Sequence, residues 1–471
     1  MPLTLSRNPQ AKQRIRGVKA RRRTELGLLV FASLIIVATY TLMVLGNTKK
    51  LPSDSVPLLI LMLVLAAVAH IANRVLAPNA NAAILPIAFL LNGIGYTMIV
   101  RLDLYPTPQT HYAPLQATWT AVGVGAYVLT LFVVRRSRDL DRYRYLLLIG
   151  GTGLLLLPLV PHLGANINGA RLWVHIGSLE FQPVELAKIV LCIFFASYFA
   201  EKRELLTIPT ARFGNRLIVD PRPLVPIALA WVFAIGVMSL EHDIGFSALL
   251  FTLFIALLWV TTGRTGYLFL GIVLFGIGAY ISGRYFAQTH IRIETWLDPW
   301  KILPNDPGYQ LRQAWFSLGS GGIGGSGLGL GAPGTIPNAN TDFIFAGIGE
   351  EMGLLGSTMV VVAFLLIVGA GLRAAQSAKS EFSKLAATGL TVIIGFQAFF
   401  IIGGVVRLLP LTGITLPFVS YGGSALIANY ILIALLMRIS DEGATTADTA
   451  EREQFEKSEE ARRALLAGPR G

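Results

Sequence analysis

The chain has 471 residues, of which 54% are hydrophobic and only 14% are charged, and its mean hydropathy is +0.61. Soluble domains are about a quarter charged, so this composition excludes an ordinary soluble protein. A net charge of +12 would suggest nucleic acid as the partner of a soluble protein. Here the basic residues stand in tails and short loops between apolar segments, and we therefore expect a membrane protein that binds no nucleic acid.

Twelve apolar segments indicate transmembrane helices. A hydrocarbon core ~30 Å thick requires about 17–25 apolar residues in a helix, whereas the ~10-residue alternating pattern of a transmembrane β-barrel does not occur in the sequence. The predicted fold class is an all-α polytopic membrane protein. Its spans are predicted near 26–46, 56–75, 82–100, 115–134, 146–161, 184–200, 223–240, 243–262, 266–283, 354–372, 386–406 and 424–440.

The distribution of Lys and Arg predicts the orientation of these spans. Eight basic residues precede the first span, and the loops at 135–144, 201–223 and 373–384, which fall on the same side by alternate counting, are also rich in Arg or Lys. Basic loops face the cytoplasm. Both termini are then cytoplasmic, and the longest loop, 284–353, is extracytoplasmic. A loop of about 70 residues is well beyond the usual connection length and is typical of a functional segment.

Charged groups near the predicted membrane surface are the first candidate functional residues. "QPVELAKIV" opens the sixth span and places Glu185 and Lys188 on one helical face near the outer surface. This pair is either an interfacial ion pair, with Lys188 extending towards water, or a site for an anionic or polar substrate. Arg171 in the preceding outer loop is either a membrane anchor or a phosphate ligand. Asp243 opens the eighth span, as a helix cap or as a functional acid.

Two further outer segments combine polar residues with helix breakers. "NANTDFIFAGIGEEMGLLG" places Asp342 and Glu350 before the tenth span, and "RLLPLTGITLPFVSYGGSALIANY", which includes Ser420, resists helix formation until about residue 424. The second segment is typical of a folded or re-entrant outer loop. The glycine-rich run at 319–334 lacks the Lys-Ser/Thr of a nucleotide-binding loop, so we expect a flexible or tightly folded loop there.

Five ordered motifs identify a family. "NGARLWVHIGSLEFQPVELAK", "EHDIG", "WLDP…GYQLRQ", "TDFIFAGIGEEMGLLG" and "PLTGITLPFVSYGGSALIANY" resemble the successive signatures of the SEDS family of RodA, FtsW and SpoVE proteins, across roughly 82–440. The resemblance is strongest to the RodA-type proteins of actinobacteria. It implies a ten-helix catalytic bundle at 82–440, preceded by a basic arm at 1–25 and two extra helices within 26–81. A mostly disordered cytoplasmic tail is expected at 441–471, with room for a short helix around 450–466.

The resemblance also implies an activity. SEDS proteins are peptidoglycan glycosyltransferases that polymerise lipid II at the outer face of the bacterial cytoplasmic membrane, and their catalytic aspartate falls on Asp298 of "WLDP". The donor is a glycan linked to undecaprenyl diphosphate, and the implied partner is a class B penicillin-binding protein. The participation of a divalent cation, Mg²⁺ or Mn²⁺, stays open. Candidate substrate-binding residues are Arg171, Glu185, Lys188, Asp243, Arg292, Gln310, Gln313, Asp342, Glu350 and Ser420.

The expected chemistry fits one critical acid. The acceptor hydroxyl must lose a proton, which requires a positioned carboxylate base, and the diphosphate leaves as an anion. Arg171, Lys188 and Arg292 would offset its charge, and Gln310 and Gln313 would orient sugar hydroxyls. Two other functions use the same helices: a lipid II flippase, and a noncatalytic scaffold of the elongation or division machinery. The charges cluster towards the outer side, which favours the polymerase.

Overall fold

A computed structural model gives the fold and describes residues 9–48, 56–104, 111–167, 170–176, 179–207, 209–213, 216–219, 222–240, 244–301 and 306–466. Most of these residues are helical. The first seven helices are α1 (Pro9–Thr48), α2 (Val56–Leu76), α3 (Ile84–Asp103), α4 (Tyr112–Val133), α5 (Arg144–Leu156), α6 (Val184–Thr207) and α7 (Val225–Leu240). The other seven are α8 (Ile244–Thr262), α9 (Gly266–Tyr285), α10 (Ala287–Leu297), α11 (Tyr309–Gly321), α12 (Ile344–Gln376), α13 (Glu381–Val405) and α14 (Gly423–Leu466).

Short strands occupy two of the predicted loops. An antiparallel sheet of β1 (Gly164–Ile167), β2 (Ala170–Ile176) and β3 (Leu179–Phe181) precedes α6, and a hairpin of β4 (Pro209–Phe213) and β5 (Arg216–Val219) follows it. Only loops were expected here from the sequence. Strands of three to seven residues carry too short a pattern to be separated from loops without knowledge of their pairing partners.

The predicted class, a helical polytopic membrane protein, is confirmed. Nine of the described helices are long and apolar enough to cross a membrane: α1 from residue 18, α2, α3, α4, α8, α9, α12, α13 and α14 as far as residue 445. The other three predicted spans correspond to α5 and α7, which have only 13 and 16 residues, and to α6, which carries charged residues near both ends. The full set of twelve spans therefore stays a prediction.

The helix at the predicted tenth span begins earlier than expected. α12 starts at Ile344, and at Gly353 its backbone leaves the helical region, with φ of 65°. A side chain at this position would be strained and would also clash with the backbone of Ile323 and Gly325. The predicted start at 354 therefore coincides with this break. The residues before it, which were expected to be loop, form a separate helical segment.

Both ends of the chain are more helical than predicted. The basic arm joins α1 from Pro9 onwards, and α14 continues without interruption to Leu466, where a mostly disordered tail was expected. The segment 450–466 is rich in Ala, Glu and Arg, which have high helix propensity. Its low hydrophobicity predicted disorder, but a helix that continues from a membrane span needs no new nucleation.

The two N-terminal helices pack on the rest of the bundle, with α1 against α3 and α2 against α4. A buried carboxylate joins them. Glu25 pairs with Arg22 on α1, and it accepts hydrogen bonds from His70 Nδ1 (2.7 Å) and Asn73 Nδ2 (3.2 Å) on α2. Buried charges are tolerated when they are paired and hydrogen-bonded in this way. The extra helices are therefore an integral part of the fold.

The glycine-rich run at 319–334 is tightly folded against α1 and α12. Gly329 has φ of 77°, and a Cβ there would clash with the carbonyl oxygen of Met43 on α1. A Cβ at Gly46 would likewise clash with the carbonyl oxygen of Leu328. Glycine permits both the positive φ and the close approach of the two backbones. Of the two alternatives considered from the sequence, a tightly folded loop is the one observed.

Candidate functional site

Asp298 follows directly after α10, on the surface of the protein. Its backbone N–H donates to the carbonyl oxygen of Glu294 (2.8 Å), which closes the last turn of the helix, and its φ and ψ of −139° and 86° then turn the chain away. One carboxylate oxygen accepts the backbone N–H of Trp300 (3.1 Å). The side chain is exposed. The carboxylate therefore has a fixed local geometry and free acceptor capacity.

A lysine and a glutamate lie next to this acid. Lys301 forms an ion pair with Glu294, and its backbone N–H donates to the carbonyl oxygen of Asp298 (3.3 Å). The hydrogen bond between the two side chains lowers the pKa of Glu294 and raises the pKa of Lys301, and the charge of Asp298 raises the pKa of Lys301 further. The ammonium group of Lys301 therefore stays charged near Asp298 over a wide pH range.

Gln310 and Gln313 lie on α11, in the same predicted loop as Asp298. Both side chains are partly buried, and neither forms a hydrogen bond with another described residue. Between them, Arg312 forms an ion pair with Asp306 (2.5 Å) and donates to the carbonyl oxygen of Pro299 (2.7 Å). The described residues give the two glutamines no alternative partner, and their role in orienting sugar hydroxyls stays a prediction.

Glu185 and Lys188 form a buried ion pair at the start of α6. Their side chains are 0% and 3% exposed, and Nζ lies 2.5 Å from one carboxylate oxygen. Lys188 also donates to Gln397 Oε1 on α13 (2.8 Å), and Gln397 Nε2 donates to the carbonyl oxygen of Thr415 (2.8 Å). The other oxygen of Glu185 is buried with no hydrogen-bond donor among the described residues. The predicted ion pair is therefore present, but the expectation that Lys188 extends towards water is wrong, and a role of the pair in substrate binding stays a prediction.

Arg292 and Asp342 lie next to the non-helical segment between α13 and α14. Arg292 donates from Nη1 to the carbonyl oxygen of Thr412 (2.7 Å). Burial raises the pKa of Asp342 to about 6, and the nearby charge of Arg292 lowers it only in part. A carboxyl with this pKa changes its charge within the physiological range. The charge of Arg292 thus acts on Asp342, and the role of each residue in substrate binding stays a prediction.

Ser420 holds two outer segments together. Its hydroxyl donates to the carbonyl oxygen of Thr341 (2.6 Å) and accepts the backbone N–H of Leu416 (3.0 Å), and the N–H of Tyr421 donates to the carbonyl oxygen of Asn340 (2.8 Å). The predicted interruption of helix is confirmed, since residues 406–422 are not in α-helix, and the outer location of this segment stays a prediction. These contacts explain Ser420 through the loop geometry, and its predicted contact with substrate stays a prediction.

Glu350 and its neighbour Glu351 fasten the glycine-rich run to α12. Glu350 accepts the backbone N–H of Ala332 (2.7 Å), and Glu351 accepts the N–H of Gly329 (2.9 Å) and Nε of Arg101 (2.7 Å). The second oxygen of Glu350 is buried with no hydrogen-bond donor among the described residues. The adjacent acids singled out in the sequence are thus bound to a loop backbone, and the role of Glu350 in substrate binding stays a prediction.

Two predicted residues are described incompletely or not at all. Arg171 is in β2, opposite Asn166 of β1, but its side chain is not among those described. Asp243 lies outside the described residues. Within the described part of the chain, no three His, Cys, Asp or Glu side chains are grouped so that they could hold a metal ion.

The sequence did not point to four residues that contact either a predicted site residue or the backbone next to Asp298: Lys301, Arg312, Gln397 and Arg407. Gln397 is a lone polar residue in an apolar span, which is itself a signal of function because a polar group is costly there. Arg407 stands at the end of the same apolar span, two residues after α13. Its partners, described below, are distant in sequence, so only the fold reveals them.

These features define a polytopic helical membrane protein whose predicted outer segments are folded and carry polar side chains, among them the exposed Asp298. A profile of the FtsW/RodA/SpoVE family, described as cell cycle proteins, matches residues 81–445. The chain belongs to this family, as the five motifs indicated.

Named relatives and solved structures agree with this assignment. The chain is 40% identical over 425 residues to the peptidoglycan glycosyltransferase RodA of Mycobacterium tuberculosis, with 89% of this chain and 90% of that protein covered. It is 40% identical over 424 residues, with the same coverage, to the protein of that name from Mycobacterium leprae. A chain from a peptidoglycan synthase complex that coordinates polymerisation and crosslinking shares its fold, with a TM-score of 0.59, 25% identity and coverage of 76% and 97%.

Proposed function

We propose that this protein is a peptidoglycan glycosyltransferase that polymerises lipid II at the outer face of the cytoplasmic membrane. The observation that carries the proposal is the position of Asp298: an exposed carboxylate with fixed local geometry, at the end of α10, in the "WLDP" context of the family motif. The mycobacterial relatives of 40% identity, which are named peptidoglycan glycosyltransferases, support the same activity.

The reaction we infer is a single displacement. The 4-hydroxyl oxygen of the acceptor sugar attacks the anomeric carbon of the donor, and the bond from that carbon to the diphosphate oxygen breaks with its electron pair. The hydroxyl proton passes to the carboxylate of Asp298, which acts as general base. The diphosphate leaves as an anion and needs no proton from a second acid. Lys301 is a charged donor close to this carboxylate, and we assign it to the leaving group as an electrostatic partner.

The side of the membrane follows from charge. The loops at 135–144, 201–223 and 373–384 are basic and are assigned to the cytoplasm, so we infer that both termini are cytoplasmic and that Asp298 faces the outside. An undecaprenyl-diphosphate donor carries its own leaving group, so the reaction draws its energy from the substrate. A class B penicillin-binding protein is the proposed partner, and the likeness to a chain of a synthase complex supports a shared assembly.

The test is polymerisation of labelled lipid II by the purified protein without nucleotide or ion gradient, with and without a class B penicillin-binding protein. We expect glycan strands on a gel from the wild type, and a loss of about 10²–10⁴-fold for Asp298→Asn. Asp139→Asn is the matched control, because Asp139 is also exposed but lies before α5, in the predicted cytoplasmic loop. Near wild-type yield from Asp298→Asn would end the assignment of the base. Transport of lipid II across sealed vesicles without any polymer would favour the flippase instead.

A further inference from the structure

Arg407 contacts the backbone immediately before Asp298. From the segment that follows α13, its guanidinium donates to the carbonyl oxygens of Trp296 (Nε, 2.9 Å) and Leu297 (Nη2, 2.6 Å). The indole N–H of Trp296 donates in return to the carbonyl oxygen of Arg407 (3.1 Å). The last carbonyls of a helix have no partner within the helix, so Arg407 supplies donors that α10 itself lacks.

Arg312 contacts the backbone immediately after Asp298. Its Nη1 donates to the carbonyl oxygen of Pro299 (2.7 Å), and its ion pair with Asp306 holds the guanidinium in place from the other side. Gly308 lies so close to the same carbonyl that a Cβ there would clash with it. The chain is therefore held by one arginine on each side of the aspartate, and each arginine comes from a different element.

Arg407 is itself held in a costly conformation. Its φ is 63°, a region that residues other than glycine seldom adopt and that persists only where the surrounding structure enforces it. The guanidinium carbon lies 5.3 Å from the centre of the Trp315 ring on α11, and the Trp315 indole donates to the carbonyl oxygen of Val405 (3.1 Å). Strain of this kind often occurs at functional sites. Here it places the guanidinium against the end of α10.

We propose that Arg407 and Arg312 are positioning residues for Asp298, and that they fix the backbone on its two sides so that its exposed carboxylate meets the acceptor hydroxyl. This inference rests on the proposed function. Neither guanidinium is assigned a contact with substrate or with the carboxylate itself. Without the two arginines, the carbonyl oxygens of Trp296, Leu297 and Pro299 would lose these donors and bond to water instead. The exposed end of α10 would then fray more readily.

The expected effect is on the rate of the chemical step. A misplacement of about 1 Å in a reacting group costs about a hundredfold in rate, so Arg407→Ala is expected to lower kcat by about 10–100-fold. The KM for lipid II should change less than threefold, because no binding group is removed. Arg407→Lys should recover only part of the rate, since one ammonium cannot reproduce a planar fork that reaches two adjacent carbonyls. Arg312→Ala should act in the same direction.

A double-mutant cycle separates positioning from general destabilisation. We would measure kcat and KM for the wild type, Arg407→Ala, Asp298→Asn and the double variant, together with thermal unfolding of each. A positioning residue has nothing left to position once the base is gone, so the double variant should be no slower than Asp298→Asn. The matched control is Arg264→Ala, which removes another exposed guanidinium that donates to a backbone carbonyl, that of Thr207 (3.2 Å).

The outcomes are distinct. The positioning role would be overturned if Arg407→Ala lowered kcat by the same factor in the wild type and in Asp298→Asn. It would also be overturned if Arg264→Ala lowered kcat as much as Arg407→Ala does. Full kcat in Arg407→Ala while Asp298→Asn is inactive would overturn it as well. If Asp298→Asn itself polymerises lipid II normally, the proposed function of Asp298 fails first. If Arg407→Ala does not fold, the partial kcat and unchanged KM expected of the folded Arg407→Lys variant decide the question.

Discussion

The buried pair of Glu185 and Lys188 should behave as one unit, and the structure indicates how strongly. In the described part of the chain, Lys188 is the one hydrogen-bond donor to the Glu185 carboxylate, and it also supplies a donor to Gln397. Lys188→Met therefore leaves a buried carboxylate without compensation and an amide oxygen without its donor. Breaking one side of a buried ion pair costs about 3–5 kcal/mol, so we expect this loss in the free energy of unfolding.

Removing both charges should cost less than removing one. In the double variant Glu185→Leu, Lys188→Met the unpaired charge is gone, and the remaining defect is the unsatisfied oxygen of Gln397, which costs about 1–3 kcal/mol. The two substitutions should therefore be non-additive by at least ~2 kcal/mol. The control pair is Glu201 and Lys202, also joined by a hydrogen bond (2.8 Å) but 39% and 33% exposed, for which a coupling of about 0.2–1 kcal/mol is expected.

The assay is equilibrium unfolding in mixed detergent micelles, followed by loss of helical circular dichroism, with polymerisation activity measured on the same samples. The reasoning would be refuted if the double variant lost the sum of the two single losses, or if the exposed control pair showed coupling as strong as the buried one. Activity should follow the same pattern as stability if the pair serves to hold α6 against α13.

Three further predictions concern the outer region. Because the pKa of Asp342 is raised to about 6 in the folded protein, stability should fall as pH rises from about 4 to 6 and then level off. Asp342→Asn should remove part of this fall in thermal unfolding, and identical pH profiles for the variant and the wild type would contradict the prediction. Gly329→Ala should destabilise the protein by at least ~1 kcal/mol, since its Cβ would clash with Met43; unchanged unfolding would contradict the close packing. In intact spheroplasts a cysteine at the exposed Gly324 should react with an impermeant thiol reagent, and one at Arg138 only after permeabilisation; reversed labelling would invert the topology. The native Cys192 is buried.

Long apolar helices were predictable because their signal is local. The predicted spans at 56–75 and 266–283 differ by two residues or fewer from α2 and α9, since hydropathy and length alone define them. The strands around Arg171 pair with one another within residues 164–181, but each has only three to seven residues, which is too short a pattern to be recognised. The helical segment before Gly353 contacts the glycine-rich run, and only the fold reveals this contact.

The candidate site shows the same division between local and distant information. Asp298 was found through its family motif. The burial of Lys188 was not foreseen, because its partner, the amide of Gln397, lies 209 residues away in the chain. Glu350 was expected to contact substrate, yet its observed partner is a backbone N–H of the glycine-rich run. A sequence shows which residues are chemically capable, and the fold decides which groups they meet.

The backbone around Asp298 is held by elements that are distant in the chain. An acid on a short exposed helix has few contacts of its own, and its geometry must be supplied by other elements. Arg312 comes from α11, and Arg407 comes from the segment after α13, more than a hundred residues beyond the carbonyls that it holds. That segment then continues to Thr412, whose carbonyl binds Arg292 on α10. Because α10 is tied to the same segment at both Arg292 and Arg407, a displacement of this segment should move Asp298 with it.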